Sequence, residues 1–383
     1  MYKKSNNHTK VAVTLFCLVQ SGVVVAEEKW ITGGLGVSQL WDSNFFRDPN
    51  EVSEEVRLLS AGVGMSANLS RQQFSARWRI RSYQHANNEQ LDETFQDGSA
   101  GWRGAWAGDF TTDLSWARDS YLVDRWEAPE SDVVARDDAK FSITRGAQNR
   151  FSFQLGGRNT NQDHSSDLRD GFNYHDKEAF AGVTYKTPSY STLSVFFRSG
   201  DRTYKDRLVE DPTSNFDFDY RQVDVENVWK ISDKTTSTLT LSRFSRKGEL
   251  NDSIGDYALL DVSWDATPKV RWRTGYSYKR PALGETIDLP STVQTGYVGA
   301  AWDITSKLEF ASRAEKVLRN YNRPDELFVR TESQNNVIPV SLTYKFSESL
   351  TIKLDSSWRK NESPIPVRQY DSTQITFGLT ARF

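Results

Sequence analysis

The sequence is short of the residues on which several classes of protein depend. Only one of its 383 residues is a cysteine, so a disulfide-rich scaffold is excluded. Apart from one run near the N-terminus, no segment approaches the roughly 18–20 consecutive apolar residues that a membrane-spanning helix requires, and the mean hydropathy is −0.64. The 48 basic residues do not outnumber the 51 acidic ones, so we expect no nucleic-acid partner.

Aromatic side chains, by contrast, are abundant. Thirteen per cent of the residues are aromatic, with 12 Trp, 15 Tyr and 21 Phe. Intrinsically disordered chains are poor in such rings, so the composition predicts a folded protein. The fold must therefore accommodate a polar average composition together with many large rings.

The N-terminus has the pattern of a secretory signal peptide. A start that carries three lysines precedes an apolar run at 11–25, and Ala26 ends a small-residue cleavage pattern. We predict a cleaved signal peptide at 1–26 and a mature chain at 27–383. A retained membrane anchor is the alternative, and the run is short for that role. Cys17 lies inside the run, so the mature chain has no cysteine.

Apolar and polar residues alternate along the whole mature chain. Trp78 and Ile80 lie on one face of the segment 74–83, and three arginines lie on the other. A period of two residues is typical of β-strands and not of helices. The same pattern is clear in the segments 270–279 and 374–383.

The connections between the predicted strands fall into two alternating classes. Eight are short turns, such as those near residues 71 and 110, and nine are longer and polar, such as 43–56 and 161–175. This arrangement predicts 18 strands, with 16 as the alternative, and places both termini on the short-turn side. Short periplasmic turns, long outer loops and an even strand number are typical of an outer-membrane barrel. We therefore predict an all-β, antiparallel up-and-down barrel in the Gram-negative outer membrane.

A closed barrel also explains the composition. Backbone groups in lipid must all be paired, which a sheet achieves only by having no edge. The outer face is then apolar, the lumen can be polar, and aromatic rings form belts at both membrane interfaces. Predicted members of the periplasmic belt are Trp30, Phe74, Phe110, Trp229, Trp264, Trp302 and Phe346. Predicted members of the outer belt are Trp41, Tyr83, Tyr121, Tyr204, Tyr278, Tyr321 and Trp358.

Several segments resemble a family of exopolysaccharide-biosynthesis outer-membrane barrels, the EpsL/VpsM-like barrels of the porin type. The segments are LWDSNFFRDP at 40–49, LSRQQFSARWRIRSYQHANNEQLDETF at 69–95, FDFDYRQVDVENVWK at 216–230 and YDSTQITFGLTARF at 370–383. The resemblance covers essentially the whole mature chain. It implies export of exopolysaccharide for a biofilm matrix or capsule, with periplasm-spanning export proteins and an inner-membrane synthesis complex as partners. The terminal Phe383 also looks like the signal recognised by the barrel assembly machinery.

An 18-stranded barrel is wide enough for an aqueous channel. Basic residues on lumenal faces could form ladders along which an anionic polysaccharide slides through weak, repeated contacts, because guanidinium groups suit carboxylate or sulfate. The alternative is that these arginines pair with lumenal acids and support the wall. The predicted ligand-binding residues are Arg77, Arg79, Arg81, Arg271 and Arg273, with Arg103, Arg145, Arg158 and Arg221 as further candidates.

Two other functions use the same wall. A general or oligosaccharide-selective porin would conduct ions and take up small solutes, and a structural or adhesive barrel would act through its loops. We expect no enzyme, since the mature histidines His85, His164 and His175 form no recognisable catalytic pattern. We also expect no cofactor and no metal site, and a loop surface that faces lipopolysaccharide.

Overall fold

A computed structural model describes residues 30–123, 131–205, 215–282, 290–321 and 329–383. The predicted signal peptide lies outside these ranges. The described residues form eighteen strands, and short 3-10 turns occur at Glu89–Leu91, Asp167–Phe172 and Pro366–Arg368. The strands are β1 (Ile31–Asp42), β2 (Glu54–Leu69), β3 (Gln72–His85), β4 (Glu93–Trp106), β5 (Phe110–Leu122), β6 (Val133–Arg145), β7 (Phe151–His164), β8 (Tyr174–Lys186), β9 (Thr192–Tyr204), β10 (Phe218–Ser232), β11 (Thr235–Lys247), β12 (Ser253–Thr267), β13 (Val270–Lys279), β14 (Thr292–Asp303), β15 (Leu308–Tyr321), β16 (Arg330–Lys345), β17 (Leu350–Glu362) and β18 (Tyr370–Arg382).

The strands form one closed sheet. Each strand pairs antiparallel with its neighbours in sequence, and β1 pairs with β18 from Gly34 opposite Arg382 to Asp42 opposite Gln374. No edge is therefore left unpaired, as a barrel in hydrocarbon requires. The predicted 18-stranded antiparallel up-and-down barrel is confirmed.

The connections alternate in length as predicted. Eight turns of two to five residues lie at one end of the barrel, which is also where β1 begins and β18 ends. The other nine connections contain five to thirteen residues. We refer to these two rims as the short-turn end and the loop end.

Strand alternation separates an apolar outer face from a polar lumen. On β3, Trp78 and Ile80 are exposed on the outside, and the three arginines that alternate with them face the lumen. The rings predicted for the periplasmic belt are all exposed on the outer face near the short-turn end. Three predictions for the outer belt are wrong, because Tyr83, Tyr204 and Tyr321 occupy lumenal positions. Tyr321 is 0% exposed.

One strand changes face partway along its length. Pairing of β16 with β17 shifts between Val337 and Val340, with Pro339 in the interruption. Proline has no backbone N–H to donate to a ladder, so it is tolerated in strands mainly at such bulges. The shift turns even-numbered residues toward the lumen before the bulge and odd-numbered residues after it.

Within the described ranges, no helix has the length and apolar character needed to cross a bilayer.

Candidate functional site

The lumen wall carries the charged residues of the barrel interior. On β3, Arg79 and Arg81 both bind Asp97 of β4, with N–O distances of 2.9 and 2.7 Å. Arg81 also lies 4.5 Å from the ring centroid of Phe95. Arg77 lies nearer the short-turn end and has no ion-pair partner among the described residues. Of the arginines predicted on β3, Arg79 and Arg81 are thus paired with a carboxylate and Arg77 is not.

The two arginines predicted on β13 divide in the same way. Arg271 lies 3.2 Å from Glu309 and 4.0 Å from Asp303. Arg273 has no acidic partner in the part of the chain that the structure describes. The structure therefore places all five predicted residues on lumenal positions and pairs three of them with carboxylates. Arg77 and Arg273 are the two without a carboxylate partner among the described residues.

The further arginine candidates are partly wrong. Arg103 binds Asp113 at 2.6 Å and Arg158 binds Asp138 at 2.6 Å, both on the lumen side. Arg145 and Arg221 instead occupy outward positions, since they lie opposite the outward Phe153 and next to the outward Val223. The prediction for Arg145 and Arg221 is therefore wrong, because alternation along β6 and β10 turns both side chains away from the lumen.

A denser cluster, of which only Arg158 was predicted, lies on β6 to β12. Arg198 binds Glu178 at 2.9 Å and also Asp224, so one guanidinium joins three strands. Arg202 binds Asp176 at 2.9 Å. This arginine–carboxylate wall lines a lumenal cavity of about 350 Å³. Its charged and tyrosine members are Arg136, Arg158, Arg198, Arg202, Arg246, Asp176, Glu178, Asp224, Tyr220 and Tyr257.

Rings support the guanidinium groups of this wall. Arg202 lies 4.2 Å from the ring centroid of Tyr174 and 5.4 Å from that of Phe218. The Tyr220 hydroxyl lies 3.0 Å from a carboxylate oxygen of Asp176 and 3.1 Å from one of Glu178, so its one hydrogen is shared between the two acceptors. Stacking and hydrogen bonding restrict both partners, so the wall presents charge in fixed positions.

Sequence reasoning could not find this wall because its contacts depend on register. Asp176 and Glu178 alternate along β8, and Arg198 and Arg202 do so along β9. The alternation was visible, but a shift of one residue would move every side chain to the other face. The pairing of Asp176 with Arg202 is a property of the assembled sheet.

The first long loop is attached to the inner side of the mouth. Arg47 donates to both carboxylate oxygens of Asp42, at 2.9 and 2.8 Å, and to the Ser372 hydroxyl at 2.7 Å. The side chains of Arg47 and Asp42 are 5% and 1% exposed. The amide of Asn44 donates to the Asp371 carbonyl at 2.9 Å. Asp42, Asn44 and Arg47 belong to the segment 40–49, so its DSNFFR sequence joins the loop to both β1 and β18.

Two other loops are attached by the same kind of contact. Arg169 lies 3.5 Å from Asp132, and Arg368 lies 2.7 Å from Glu332. Each carboxylate is almost fully buried. We call these three contacts the loop clasps: Asp42–Arg47, Asp132–Arg169 and Glu332–Arg368.

His164 takes part in the second clasp. Its Nδ1 lies 2.8 Å from Asp132, and its side chain is buried. Asp132 lies outside the strands, directly before β6. Burial by itself would raise the pKa of Asp132, but the bonds from His164, the backbone N–H of Ser166 and the charge of Arg169 outweigh it and leave the pKa below its ordinary value.

Solved structures with the same architecture are outer-membrane channels. OccK9 (OpdG) of Pseudomonas aeruginosa is 9% identical, with a TM-score of 0.53 over 92% of this chain and 98% of that one. A BenF-like porin from Pseudomonas fluorescens Pf-5 is 8% identical, with a TM-score of 0.52 over 93% and 99%. OpdK of Pseudomonas aeruginosa, solved with vanillate, is 11% identical, with a TM-score of 0.50 over 92% and 99%.

At these identities the likeness establishes the fold alone. No protein-family model and no curated protein sequence matches the chain, so the resemblance to exopolysaccharide-biosynthesis barrels is not confirmed. The chain is an 18-stranded barrel of the outer-membrane porin type, apolar outside and charged within. This architecture places it in the Gram-negative outer membrane, as predicted.

Proposed function

We propose that the protein is a porin that lets small hydrophilic solutes cross the outer membrane. The observation that carries this proposal is the closed 18-stranded ring with a charged lumen wall. A ring of this strand number encloses an aqueous passage, whereas eight strands are filled by their own side chains. The solved barrels of similar architecture include proteins described as porins.

We further propose that the lumen favours solutes that carry an anionic group. Arg77 and Arg273 project from strands far apart around the ring, and neither is neutralised by a carboxylate of the described chain. A guanidinium binds a carboxylate through charge-assisted hydrogen bonds, and such contacts must be weak to allow passage. Vanillate, which accompanies OpdK in its structure, is a carboxylate.

Export of exopolysaccharide, the function implied by the resemblance, is the second proposal to test. It requires a polymer to pass the mouth and periplasm-spanning proteins to deliver it. Deletion of the gene separates the two functions. Intact surface polysaccharide with slower uptake of small anions supports the porin, and loss of polysaccharide with unchanged uptake supports export.

Ion selectivity provides the direct test of the lumen. In planar bilayers, the purified barrel is expected to conduct steadily, and the double substitution Arg77→Gln and Arg273→Gln is expected to lower the anion-to-cation permeability ratio by about twofold or more. The reversal potential under a salt gradient measures this ratio. The ratio is expected to fall because the two substitutions remove positive charge from the lumen.

The matched control changes the same number of arginines on the outer face. Arg145→Gln with Arg221→Gln is expected to leave the permeability ratio unchanged, because both side chains face outward. A barrel that does not conduct at all contradicts the porin proposal. A normal conductance with identical ratios in all variants contradicts only the role of Arg77 and Arg273.

A further inference from the structure

The outer face of the barrel has a charged recess on β8 to β11. It is a cavity of about 760 Å³ near the loop end of these strands. The outward charged residues that line it are Lys177, Asp201, Asp219, Arg221 and Lys247. We call this cavity the outer recess.

Register places four of these residues in one row. Lys177 lies opposite Asp201, and Asp201 lies opposite Asp219. Asp219 in turn lies opposite Lys247. Strand alternation turns the row away from the lumen, since Phe197, four residues before Asp201, is 60% exposed on the outside.

The floor of the recess is a row in which small side chains flank Arg221. The next outward row toward the membrane contains Ala179, Ser199, Arg221 and Ser245. In the row below that, Ala181, Phe197 and Val223 are apolar, and Arg243 lies 3.8 Å from Asp256 of β12. Further toward the short-turn end, Val195 and Val225 continue the apolar surface. The recess therefore lies where the apolar belt ends, at the level of lipid head groups.

The charges of the recess are not satisfied within the barrel. None of the five side chains forms a hydrogen bond or ion pair with another residue in the ranges that the structure covers. Like charges directly opposite each other on adjacent strands are destabilising, as at Asp201 and Asp219. Charged groups next to a lipid-facing belt are costly without a polar partner. An external charged partner would remove both costs.

We propose that the outer recess binds the phosphorylated head group of lipopolysaccharide in the outer leaflet. Three cations match the phosphates of lipid A, and divalent cations that accompany those phosphates would neutralise Asp201 and Asp219. The short-turn end of the same strands presents uncharged outward residues, such as Leu193, Trp229 and Ile231. The charge is thus restricted to the side of the membrane whose lipid is phosphorylated lipopolysaccharide.

Binding of diphosphoryl lipid A to the detergent-purified barrel tests the proposal. The triple variant Lys177→Gln, Arg221→Gln and Lys247→Gln is expected to bind this probe about tenfold more weakly or worse, as judged by native mass spectrometry. Dephosphorylated lipid A is expected to bind the wild-type barrel as weakly as it binds the variant. Heat-modifiable migration in gels verifies that each barrel is folded.

The matched control removes three cations from the lumen instead. Arg77→Gln, Arg271→Gln and Arg273→Gln together change the net charge equally and are expected to leave lipid A binding unchanged. Equal affinity of the outer triple variant and wild type, or an equal loss in the lumenal control, would overturn the proposal. Single substitutions Lys177→Gln and Lys247→Gln repeat the test at smaller amplitude, and unchanged affinity in both would overturn it equally. Conductance measured in parallel keeps this result separate from the porin proposal.

Discussion

At the scale of single residues, the mouth of the barrel is organised by buried carboxylates. Asp42, Asp132 and Glu332 are almost fully buried, and each binds an arginine from a loop. A buried charge is costly unless it is paired and hydrogen-bonded, so each carboxylate strongly favours the attached position of its loop. The loop clasps therefore attach three loop segments to the barrel at its loop end.

We expect the attachment of residues 165–173 to depend on pH through the clasp at Asp132. The pKa of Asp132 is lowered in the folded protein, so its contribution is complete above the unfolded value of about 3.9 and is lost as pH falls through the lower folded value. Pepsin is expected to leave the segment intact near pH 4 and to cut it at Leu168, an exposed residue, as pH falls toward 2. Mass spectrometry of the fragments measures this.

Asp132→Asn separates the clasp from general acid effects. The amide cannot form an ion pair with Arg169, so we expect the free energy of opening the segment 165–173 to fall by about 1–3 kcal/mol. Pepsin should then cleave the variant already at pH 4. Cleavage of the variant with the same pH profile as wild type would show that the clasp does not hold the segment.

At the scale of strands, alternation predicted most of the architecture and few of the contacts. The eighteen strands, the two classes of connection and the lumenal position of Arg77 follow from a period of two residues. The bulge at Pro339 does not, because a change of face depends on how β16 pairs with both neighbours. The partners of Arg198 could likewise not be predicted from the sequence, since Glu178 and Asp224 belong to two other strands.

The strand β7 provides a test of which residues face lipid and which face the lumen. Leu155 is 65% exposed on the outside, and the adjacent Gln154 binds Ser142 on the lumen side. Leu155→Arg places a charge against lipid and is expected to lower the free energy of unfolding by about 2–4 kcal/mol, whereas Gln154→Arg is expected to change it by less than about 1 kcal/mol. Urea titration in liposomes measures both values. Similar losses in the two variants would contradict the assignment of faces.

At the scale of the whole molecule, closure depends on a seam between the first and last strands. Gly33 and Phe383 exchange two backbone hydrogen bonds of 2.8 and 3.0 Å. The ring of Phe383 covers Gly33 so closely that a β-carbon there would overlap it. Phe383 thus contributes to closure of the barrel, in addition to its predicted role as a signal for assembly.

Phe383→Ala distinguishes these two roles. The variant keeps the backbone bonds to Gly33 and loses only the ring, so we expect refolding in detergent to be unchanged and folded protein in the outer membrane to fall several-fold. Phe377→Ala, which removes another outward ring from β18, is the control and is expected to assemble normally. Equal assembly of both variants in cells would contradict recognition through Phe383.

The seam also means that the ring has no structurally required first strand. Because β1 begins and β18 ends side by side at the short-turn end, a brief linker could join them, and the chain could be opened at another turn on that rim. Such a circular permutant would keep every strand beside its present neighbours. The order in which the chain is synthesised could then be varied while the pore itself stays the same.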